Sequence, residues 1–343
     1  MKRFIAIDSG KHETKVAVYD VATDTVLTRR FRTRTGIGTF EDDNPGRDTF
    51  LMEFEGKTYR IGRNADADAE LQTTKKTLTH KLCTLYAIAS ICSENEVDEV
   101  YAAIGIPVKD YENVENRNDY REYILPQGEI TVKYKNSGEG PIITKTFKIV
   151  ERQVHPETLG AIFAVDGIDM TGSVAVIDMG HLNVNQTIYN GGEPDKEYSM
   201  TDTLGGNALV TGLSQKLSSL YSFINEKQTA DILLNTGDDR CLKPRKENKE
   251  VEISSKAIID EYLLNHVQKI MNHCEAGQWS VDYLDFVFIG GTSFLLREEI
   301  KKIFGAHVVM PDDPVLANTL GFLRILCGRN LNKKIDIKNT KKM

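Results

Sequence analysis

The chain carries an internal repeat, and this repeat restricts its fold more than any other feature of the sequence. One copy reads IAIDSG near the N-terminus, and the other reads AVIDMG near the middle of the chain. The same offset separates Asp8 from Asp178 and Tyr19 from Tyr189. In each copy an apolar strand, a polar Asp-x-Gly turn and a second apolar strand follow one another, as in a β-hairpin. The repeat predicts two similar domains, each of which begins with a hairpin.

Composition and charge argue against several classes of protein. The chain has 343 residues, 40% hydrophobic and 27% charged, as is typical of a globular protein. Its net charge of -7 disfavours a nucleic-acid groove as the main functional surface. No uncharged run approaches the ~20 apolar residues of a membrane-spanning helix, and MKRFIAID lacks the apolar core of a signal peptide. The five cysteines show no C-x-x-C spacing, which favours reduced thiols. We therefore expect a soluble, cytoplasmic protein.

The two Asp-x-Gly turns are suited to bind phosphate together with a metal ion. Gly10 and Gly180 let backbone N–H groups come close to an anion. Asp8 and Asp178 would repel phosphate directly, but they suit a hydrated Mg²⁺ between carboxylate and phosphate, because Mg²⁺ keeps several of its waters. A single turn of this kind is common in surface hairpins. Two copies favour a pair of loops that clamp the phosphates from both sides of a cleft.

Basic side chains accompany these turns unequally. Lys15 begins the second strand of the first copy, where its ammonium can reach the phosphates, whereas the second copy has Asn185 at that place. Lys11 and His12 lie in the first turn, and His181 lies in the second. Each also has a structural interpretation, since a strand lysine is commonly solvated and a turn histidine is commonly a surface residue. Spacing alone leaves both interpretations open.

Two further glycine turns lie in the second half of the chain. Gly205 and Gly206 precede a predicted helix, and Gly290, Gly291 and Thr292 follow a predicted strand. Glycine permits close approach of a ligand, and free N–H groups at a helix N-terminus suit phosphate or ribose oxygens. Either turn alone is also an ordinary helix cap. Together they predict the floor of a nucleotide pocket.

Glu157 is the remaining candidate, in the segment HPETLGAIFAV. The sequence predicts a helix with Pro156 near its first turn and Glu157 just behind it. An acidic residue there is favoured by the helix dipole, which is a structural explanation. The functional alternative is that Glu157 orients a water molecule for attack on a γ-phosphate. Local sequence does not decide between them.

Five stretches, in order, resemble the motifs of the actin-like ATPase superfamily. They read IAIDSGKHETK for phosphate-1, HPETLGA for connect-1, VIDMGHLN for phosphate-2, FIGGTSFL for adenosine and DPVLANTLGFL for connect-2. They extend over nearly the whole chain, from residue 4 to about residue 328. The segment AAIGIPVKDY is most similar to the bacterial plasmid-segregation actins of the ParM/StbA group. One departure is His181, which stands where the second phosphate loop commonly has glycine.

This resemblance implies an α/β actin-like (ribonuclease-H-like) fold with two duplicated domains flanking a nucleotide cleft. Residues 1–165 would form the first domain, joined by a C-terminal helix at 316–330. Residues 166–315 would form the second, and 331–343 a flexible Lys-rich tail. The implied ligands are ATP (or GTP) and Mg²⁺, with Asp8 and Asp178 facing the metal through water and Glu157 activating the attacking water. The implied nucleotide-binding residues are Ser9, Gly10, Lys11, His12, Lys15, Gly180, His181, Gly205, Gly206, Gly290, Gly291 and Thr292.

The same resemblance implies a nucleoside triphosphatase that polymerises into filaments in the bacterial cytosol. Such a protein would segregate plasmid DNA through an adaptor that binds the plasmid centromere, without itself binding a membrane or a specific DNA sequence. Two alternatives remain open at this stage. One is a small-molecule kinase of the same superfamily, acting on a sugar or acetate. The other is a bacterial actin relative that functions in cell shape or division.

Overall fold

The chain divides into two compact units in a computed structural model, which describes residues 1–42, 45–68, 74–136, 140–169, 171–244 and 248–343. The first unit comprises Met1–Asp166 together with Leu316–Met343, and the second comprises Gly167–Val315. The C-terminal segment therefore returns to the unit in which the chain begins.

Strands and helices alternate through both units. The strands are β1 Lys2–Ser9, β2 Glu13–Asp20, β3 Thr25–Arg32, β4 Arg34–Ile37, β5 Thr49–Phe54, β6 Lys57–Gly62, β7 Ala67–Asp68, β8 Asp98–Ile106, β9 Glu129–Lys135, β10 Ile143–Pro156, β11 Ser173–Met179, β12 Val184–Asn190, β13 Glu193–Pro194, β14 Met200–Asp202, β15 Asp285–Ile289, β16 Val308–Val309 and β17 Thr340–Lys342. The α-helices are α1 Leu78–Ala89, α2 Val108–Glu112, α3 Val114–Ile124, α4 Leu159–Ala164, α5 Gly206–Leu220, α6 Glu226–Leu233, α7 Lys249–Ala276, α8 Gly291–Leu295, α9 Arg297–Phe304 and α10 Ala317–Leu331. Within the described residues, no helix combines the length and the apolar character needed to cross a membrane.

The sheet of the first unit has the strand order β17-β3-β2-β1-β8-β10-β9-β5-β6-β4-β7. Strand β1 is antiparallel to β2 and parallel to β8, which is in turn parallel to β10. Because side chains alternate along a strand, Ile5 and Ile7 pack in the same apolar cluster as α1, whereas Phe4 and Ala6 pack with α10. Both faces of β1 are therefore covered, which explains its nearly continuous apolar sequence.

The second unit has its own sheet, in the order β13-β12-β11-β15-β16, with β14 also paired to β12. Helices α5 and α7 supply apolar side chains to one core with this sheet, at spacings of three, four and seven residues that fall on one helix face. These side chains are Leu209, Leu213 and Leu217 of α5 and Ile259, Leu263, Val267, Ile270 and Cys274 of α7.

The predicted pair of hairpins is confirmed. In the first, β1 and β2 place Asp8 directly opposite Lys15. In the second, β11 and β12 place Asp178 directly opposite Asn185. The two copies of the repeat therefore have the same register, and the lysine of one copy is replaced by an amide in the other.

The predicted helix around Glu157 begins later than the sequence suggested. Pro156 is the last residue of β10, where it pairs with Ile106 of β8, and α4 starts only at Leu159. The pairing of β10 with β9 ends at Lys148, so the N–H that proline lacks is not needed on that side. Glu157 thus occupies a turn between a strand and a helix.

The C-terminal residues are packed, although their Lys-rich composition led us to expect a flexible tail. Ile335 and Ile337 are buried in the apolar cluster that contains α10. Beyond them, β17 pairs in parallel with β3. The two alternating isoleucines help to attach this polar segment, because each removes a whole aliphatic side chain from water, and ion pairs such as Lys334 with Asp166 add to the attachment.

Candidate functional site

In the first unit, Asp8 lies between two ammonium groups. Its side chain is at the end of β1 and is buried. One carboxylate oxygen, Oδ2, lies 3.2 Å from Nζ of Lys15, the residue opposite Asp8 in the hairpin. The other, Oδ1, lies 3.3 Å from Nζ of Lys75. The strand register therefore supplies one cation, and the segment before α1 supplies the second.

Lys75 also contacts Glu157. Its Nζ forms an ion pair with Oε1 of Glu157, and the side chains of both residues are buried. Glu157 is held by its backbone as well, since its N–H donates to the carbonyl of Ile106 over 2.7 Å. Strand β1, the segment before α1 and the turn after β10 thus meet in one cluster of two carboxylates and two ammonium groups.

The charges of this cluster are mutually stabilised. Burial opposes ionisation of Asp8, but the neighbouring charges of Lys15 and Lys75 outweigh it, and the pKa of Asp8 lies well below its ordinary value. Burial likewise disfavours the ammonium of Lys75, but Glu157 and Asp8 raise its pKa above the ordinary value. Asp8 is therefore a carboxylate and Lys75 an ammonium at neutral pH.

The first Asp-x-Gly turn is closed by hydrogen bonds of its own. The N–H of Gly10 donates to the carbonyls of Asp8 and Glu13, each over 3.1 Å. The hydroxyl of Ser9 lies 3.1 Å from that of Thr14, and the ring of His12 contacts the guanidinium of Arg32. Lys11 and His12 are partly exposed. The structure thus brings Ser9 and Lys15 beside Asp8, and it directs His12 toward the neighbouring strand.

In the second unit, the other predicted residues converge on the second Asp-x-Gly turn. The N–H of Gly206 donates to the carbonyl of Gly180 over 3.0 Å, and the N–H of Asn207 donates to the carbonyl of His181 over 2.7 Å. The hydroxyl of Thr292 donates to the same carbonyl of Gly180 over 2.9 Å. Three segments far apart in sequence are therefore joined at one loop.

These contacts explain why glycine is present. A Cβ at position 205 would lie 2.6 Å from the carbonyl oxygen of His181. A Cβ at position 290 would lie 2.6 Å from Oδ1 of Asp178, and Gly290 also has a φ of +91°. The N–H of Gly290 is used as well, since it donates to Pro314 over 2.8 Å.

The expected free N–H groups at the glycine turn before α5 are therefore partly engaged. The N–H groups of Gly206 and Asn207 donate to the carbonyls of Gly180 and His181 and hold the second Asp-x-Gly turn in shape. The close approach that glycine permits here is one of backbone to backbone. A Cβ at Gly291, by contrast, would meet open space. The role of these glycines in binding nucleotide stays a prediction.

A surface cavity of about 390 Å³ lies along α7. Most of its lining residues carry polar groups, but the surface that they turn toward the cavity is mainly apolar. One of them, His266, approaches the carbonyl of Leu204 with its Nε2 at 3.0 Å. Leu204 immediately precedes Gly205, so the cavity adjoins the glycine turn. The lining residues are Tyr262, Asn265, His266, Gln268, Lys269 and Asn272.

The residues present fit a magnesium ion held through water. Both oxygens of Asp8 already accept ammonium contacts, which suits an outer contact through water better than direct coordination. Asp178 keeps its place against Gly290 only because that residue has no side chain. In the described part of the chain, no group of three or more His, Cys, Asp or Glu residues forms a protein cage for a metal.

Sequence reasoning missed two residues of the first unit. Lys75 follows a run of polar residues and belongs to no motif, so nothing in its own sequence signals its burial. Asn318 is the second such residue. Its Oδ1 accepts a hydrogen bond from the N–H of Thr158, next to Glu157, over 3.2 Å. The only sequence signal for a role of Asn318 is its position inside DPVLANTLGFL, the stretch that resembles the connect-2 motif.

Comparison with known proteins agrees with this architecture. Residues 6–160 match the family model of the N-terminal domain of actin-like proteins. No curated protein matches the sequence significantly. Solved structures with a similar fold include the Alp12 filament, at 20% identity and a TM-score of 0.73, with 96% of this chain and 99% of that one covered.

Two further structures extend the comparison. The archaeal actin homologue Ta0583 has 17% identity and a TM-score of 0.75, with 94% of this chain and 98% of that one covered, and it has also been solved in complex with ADP. The apo ParM protein of pSK41 has 15% identity and a TM-score of 0.70, with 97% of this chain and 99% of that one covered. The chain therefore has the actin-like fold, as its sequence motifs indicated, and its residues 6–160 match the actin-like protein family.

Proposed function

We propose that this protein binds and hydrolyses ATP with Mg²⁺ and assembles into filaments that segregate plasmid DNA through an adaptor. The observation that carries the proposal is the cluster of Asp8, Lys15, Lys75 and Glu157 in the first unit. It combines what hydrolytic phosphoryl transfer requires: cations for phosphate, a carboxylate for a hydrated metal and a second carboxylate to orient water.

In this proposal the charged side chains have distinct roles. Asp8 and Asp178 would hold the hydrated Mg²⁺, which would neutralise charge on the phosphates. Lys15 binds phosphate, since its ammonium lies at the turn and is only partly buried. Glu157 accepts a hydrogen bond from the attacking water, and its backbone bond to Ile106 fixes the turn that carries it.

In the second unit, the loop at Gly180 and His181 would contact the phosphates. Its shape is fixed by the bonds from Gly206, Asn207 and Thr292, so the loop would be presented to the phosphates in one conformation. The nucleoside would occupy the cavity along α7, where amide and ammonium groups are available to ribose hydroxyls and base edges. The ADP complex of the archaeal homologue supports a nucleotide ligand for this fold.

Assembly and plasmid segregation are proposed from the similar structures. One of them is a filament of Alp12, and another is a ParM protein of pSK41. The net charge of -7 is consistent with an adaptor rather than this chain contacting the plasmid DNA. ATP binding would favour subunit contacts, and hydrolysis would weaken them.

The test is assembly with and without nucleotide. Purified protein is incubated with ATP and Mg²⁺, with ADP, or with no nucleotide, and filaments are measured by pelleting and negative-stain microscopy. We expect filaments with ATP and their loss as phosphate is released. A protein that binds ATP yet never assembles would remove the filament part of the proposal, and one that binds no nucleotide would remove all of it.

The proposed nucleoside site in the cavity along α7 has a separate test. Lys269→Ala, in the cavity along α7, is expected to weaken nucleotide binding about tenfold, because it removes an ammonium that would donate to the nucleoside there. Lys256→Ala is the matched control, since Lys256 is on the same helix but pairs with Asp260. Affinity for ATP and GTP is measured on both variants. Equal effects of the two substitutions would argue against a nucleoside in this cavity.

A further inference from the structure

Lys75 joins the two carboxylates to which the proposed function gives different roles. Its Nζ lies 3.3 Å from Oδ1 of Asp8, on the metal side, and forms an ion pair with Oε1 of Glu157, on the water side. The other oxygen of Asp8 is bound to Lys15. Lys75 is therefore the direct connection between β1 and the turn that carries Glu157.

The backbone around Lys75 is also fixed. Its carbonyl accepts a hydrogen bond from the N–H of Thr77 over 3.0 Å. Thr77 in turn caps α1, where its hydroxyl accepts from the N–H of His80 over 3.3 Å. The backbone that carries the Lys75 side chain is thus attached to the start of α1, which is the kind of support that a positioning group requires.

Charge balance gives a second reason for this arrangement. Two buried carboxylates without cations would be costly to bury, and they would repel the phosphates of a nucleotide. With Lys15 and Lys75 the four-residue cluster has no net charge. Lys15 contacts Asp8, whereas Lys75 contacts both Asp8 and Glu157, so Lys75 is the cation placed directly on the carboxylate of Glu157.

We propose that Lys75 is a positioning residue for Glu157, which holds the carboxylate in the direction needed to orient the attacking water. This inference rests on the proposed ATP hydrolysis. Lys75 acts through Glu157, so its removal affects the chemical step that Glu157 serves. Loss of a positioned general base typically lowers a rate about 100-fold or more.

The experiment measures kcat and KM for ATP, with ATP affinity measured separately on every variant. Lys75→Met replaces the ammonium by an uncharged chain of similar length, and Lys75→Arg keeps the charge. We expect Lys75→Met and Glu157→Gln each to lower kcat about 100-fold, and Lys75→Arg to keep at least about a tenth of the wild-type kcat. The kcat of the double variant Lys75→Met/Glu157→Gln should be no more than about threefold lower than the kcat of Glu157→Gln alone.

Lys76→Met is the matched control, because Lys76 is the next residue, is exposed and pairs with Asp119. It should keep the wild-type kcat. If Lys75→Met fails to fold, the double variant still tests the inference, since it removes both charges of the buried pair together and a further loss of kcat beyond that of Glu157→Gln would contradict it. The inference would be overturned if the kcat of the double variant fell by the product of the two single losses. It would also be overturned if Lys75→Met kept the wild-type kcat. A wild-type protein that binds no ATP would instead overturn the proposed function.

Discussion

The side-chain Oδ1 of Asn318 accepts a hydrogen bond from the backbone N–H of Thr158, over 3.2 Å. Asn318 belongs to α10, and Thr158 follows Glu157 in the turn before α4. Thr158 is buried and has a φ of +81°, a conformation that costs a β-branched residue about 1–3 kcal/mol. The C-terminal helix therefore stabilises a strained turn beside the candidate water-orienting carboxylate.

Replacing Asn318 is expected to destabilise this turn. Asn318→Ala should lower the free energy of unfolding by about 1–3 kcal/mol, because the buried N–H of Thr158 loses its acceptor. Asn318→Asp, which keeps an oxygen at that place, should recover part of the loss. Asn330→Ala is the control, since Asn330 is exposed at the far end of the same helix. Urea denaturation of the three variants measures the effect, and a loss in Asn318→Ala no larger than in Asn330→Ala would contradict it.

Two glycines of α10 should respond in opposite ways to alanine. A Cβ at Gly321 would lie 1.9 Å from the carbonyl oxygen of Gly160, where α4 and α10 touch backbone to backbone. Gly321→Ala should therefore cost about 3 kcal/mol or more, since neither backbone can yield without moving its helix. A Cβ at Gly328 would meet open space, so Gly328→Ala should stabilise the protein by up to about 1 kcal/mol. Thermal and urea unfolding measure both, and effects of equal sign would contradict the prediction.

The close contact of α4 with α10 shows what the sequence contained and what it did not. The stretches HPETLGA and DPVLANTLGFL were recognised as motifs, and their glycines prove to be the points at which two helices cross. The hairpins were predictable because their alternation and turn residues are local. Lys75 was not, because burial of a lysine depends on two carboxylates that lie far away in sequence.

The glycine turn before α5 shows what a local sequence pattern cannot predict. Its glycines predict close approach of a ligand; the structure shows close approach of backbone at Gly205, and contact with a ligand stays a prediction. Local pattern cannot distinguish a ligand from the backbone of another loop, and here Gly205 lies against the backbone of His181. The charge of the C-terminal segment favours a flexible tail, whereas the structure buries Ile335 and Ile337 in the cluster with α10 and pairs β17 with β3.

Stability should depend on pH through His80. This residue is fully buried, and burial, assisted by the charges of Lys75 and Lys11, lowers the pKa of His80 to about 3. The unfolded chain takes up the proton near the ordinary pKa of 6.5, so stability is fully present above that pH and is lost as the pH falls from 6.5 toward 3. From about pH 7.5 to about pH 5, this one group should cost about 2 kcal/mol.

The measurement compares His80→Gln with the wild type. The free energy of unfolding of the variant should fall by about 2 kcal/mol less over the same pH interval, because glutamine does not titrate. His155, whose pKa burial lowers to about 4, keeps its own contribution in both proteins. His307→Gln is the control, since His307 is exposed. Parallel pH profiles for His80→Gln and the wild type would show that His80 is not the responsible group.

A buried ion pair in the second unit should show strong coupling. Nη1 of Arg240 lies 2.9 Å from Oε1 of Glu299, and the remaining donors of this arginine reach the carbonyls of Asn235 and Leu295, each over 3.0 Å. Arg240→Met and Glu299→Leu should each cost about 3–5 kcal/mol, since each leaves one buried charge without its partner. The double variant should cost clearly less than the sum, because it leaves no buried charge uncompensated.

The exposed pair of Lys227 and Asp231 is the matched comparison, because its ions are separated by 3.1 Å yet remain in water. Its coupling energy should be no more than about 0.5 kcal/mol, as solvent screens the charges and the side chains lose entropy when they pair. Double-mutant cycles by urea unfolding measure both pairs under the same conditions. The two pairs differ in burial rather than in distance. A coupling energy for Arg240 and Glu299 as small as that of Lys227 and Asp231 would therefore mean that water reaches Arg240 and Glu299.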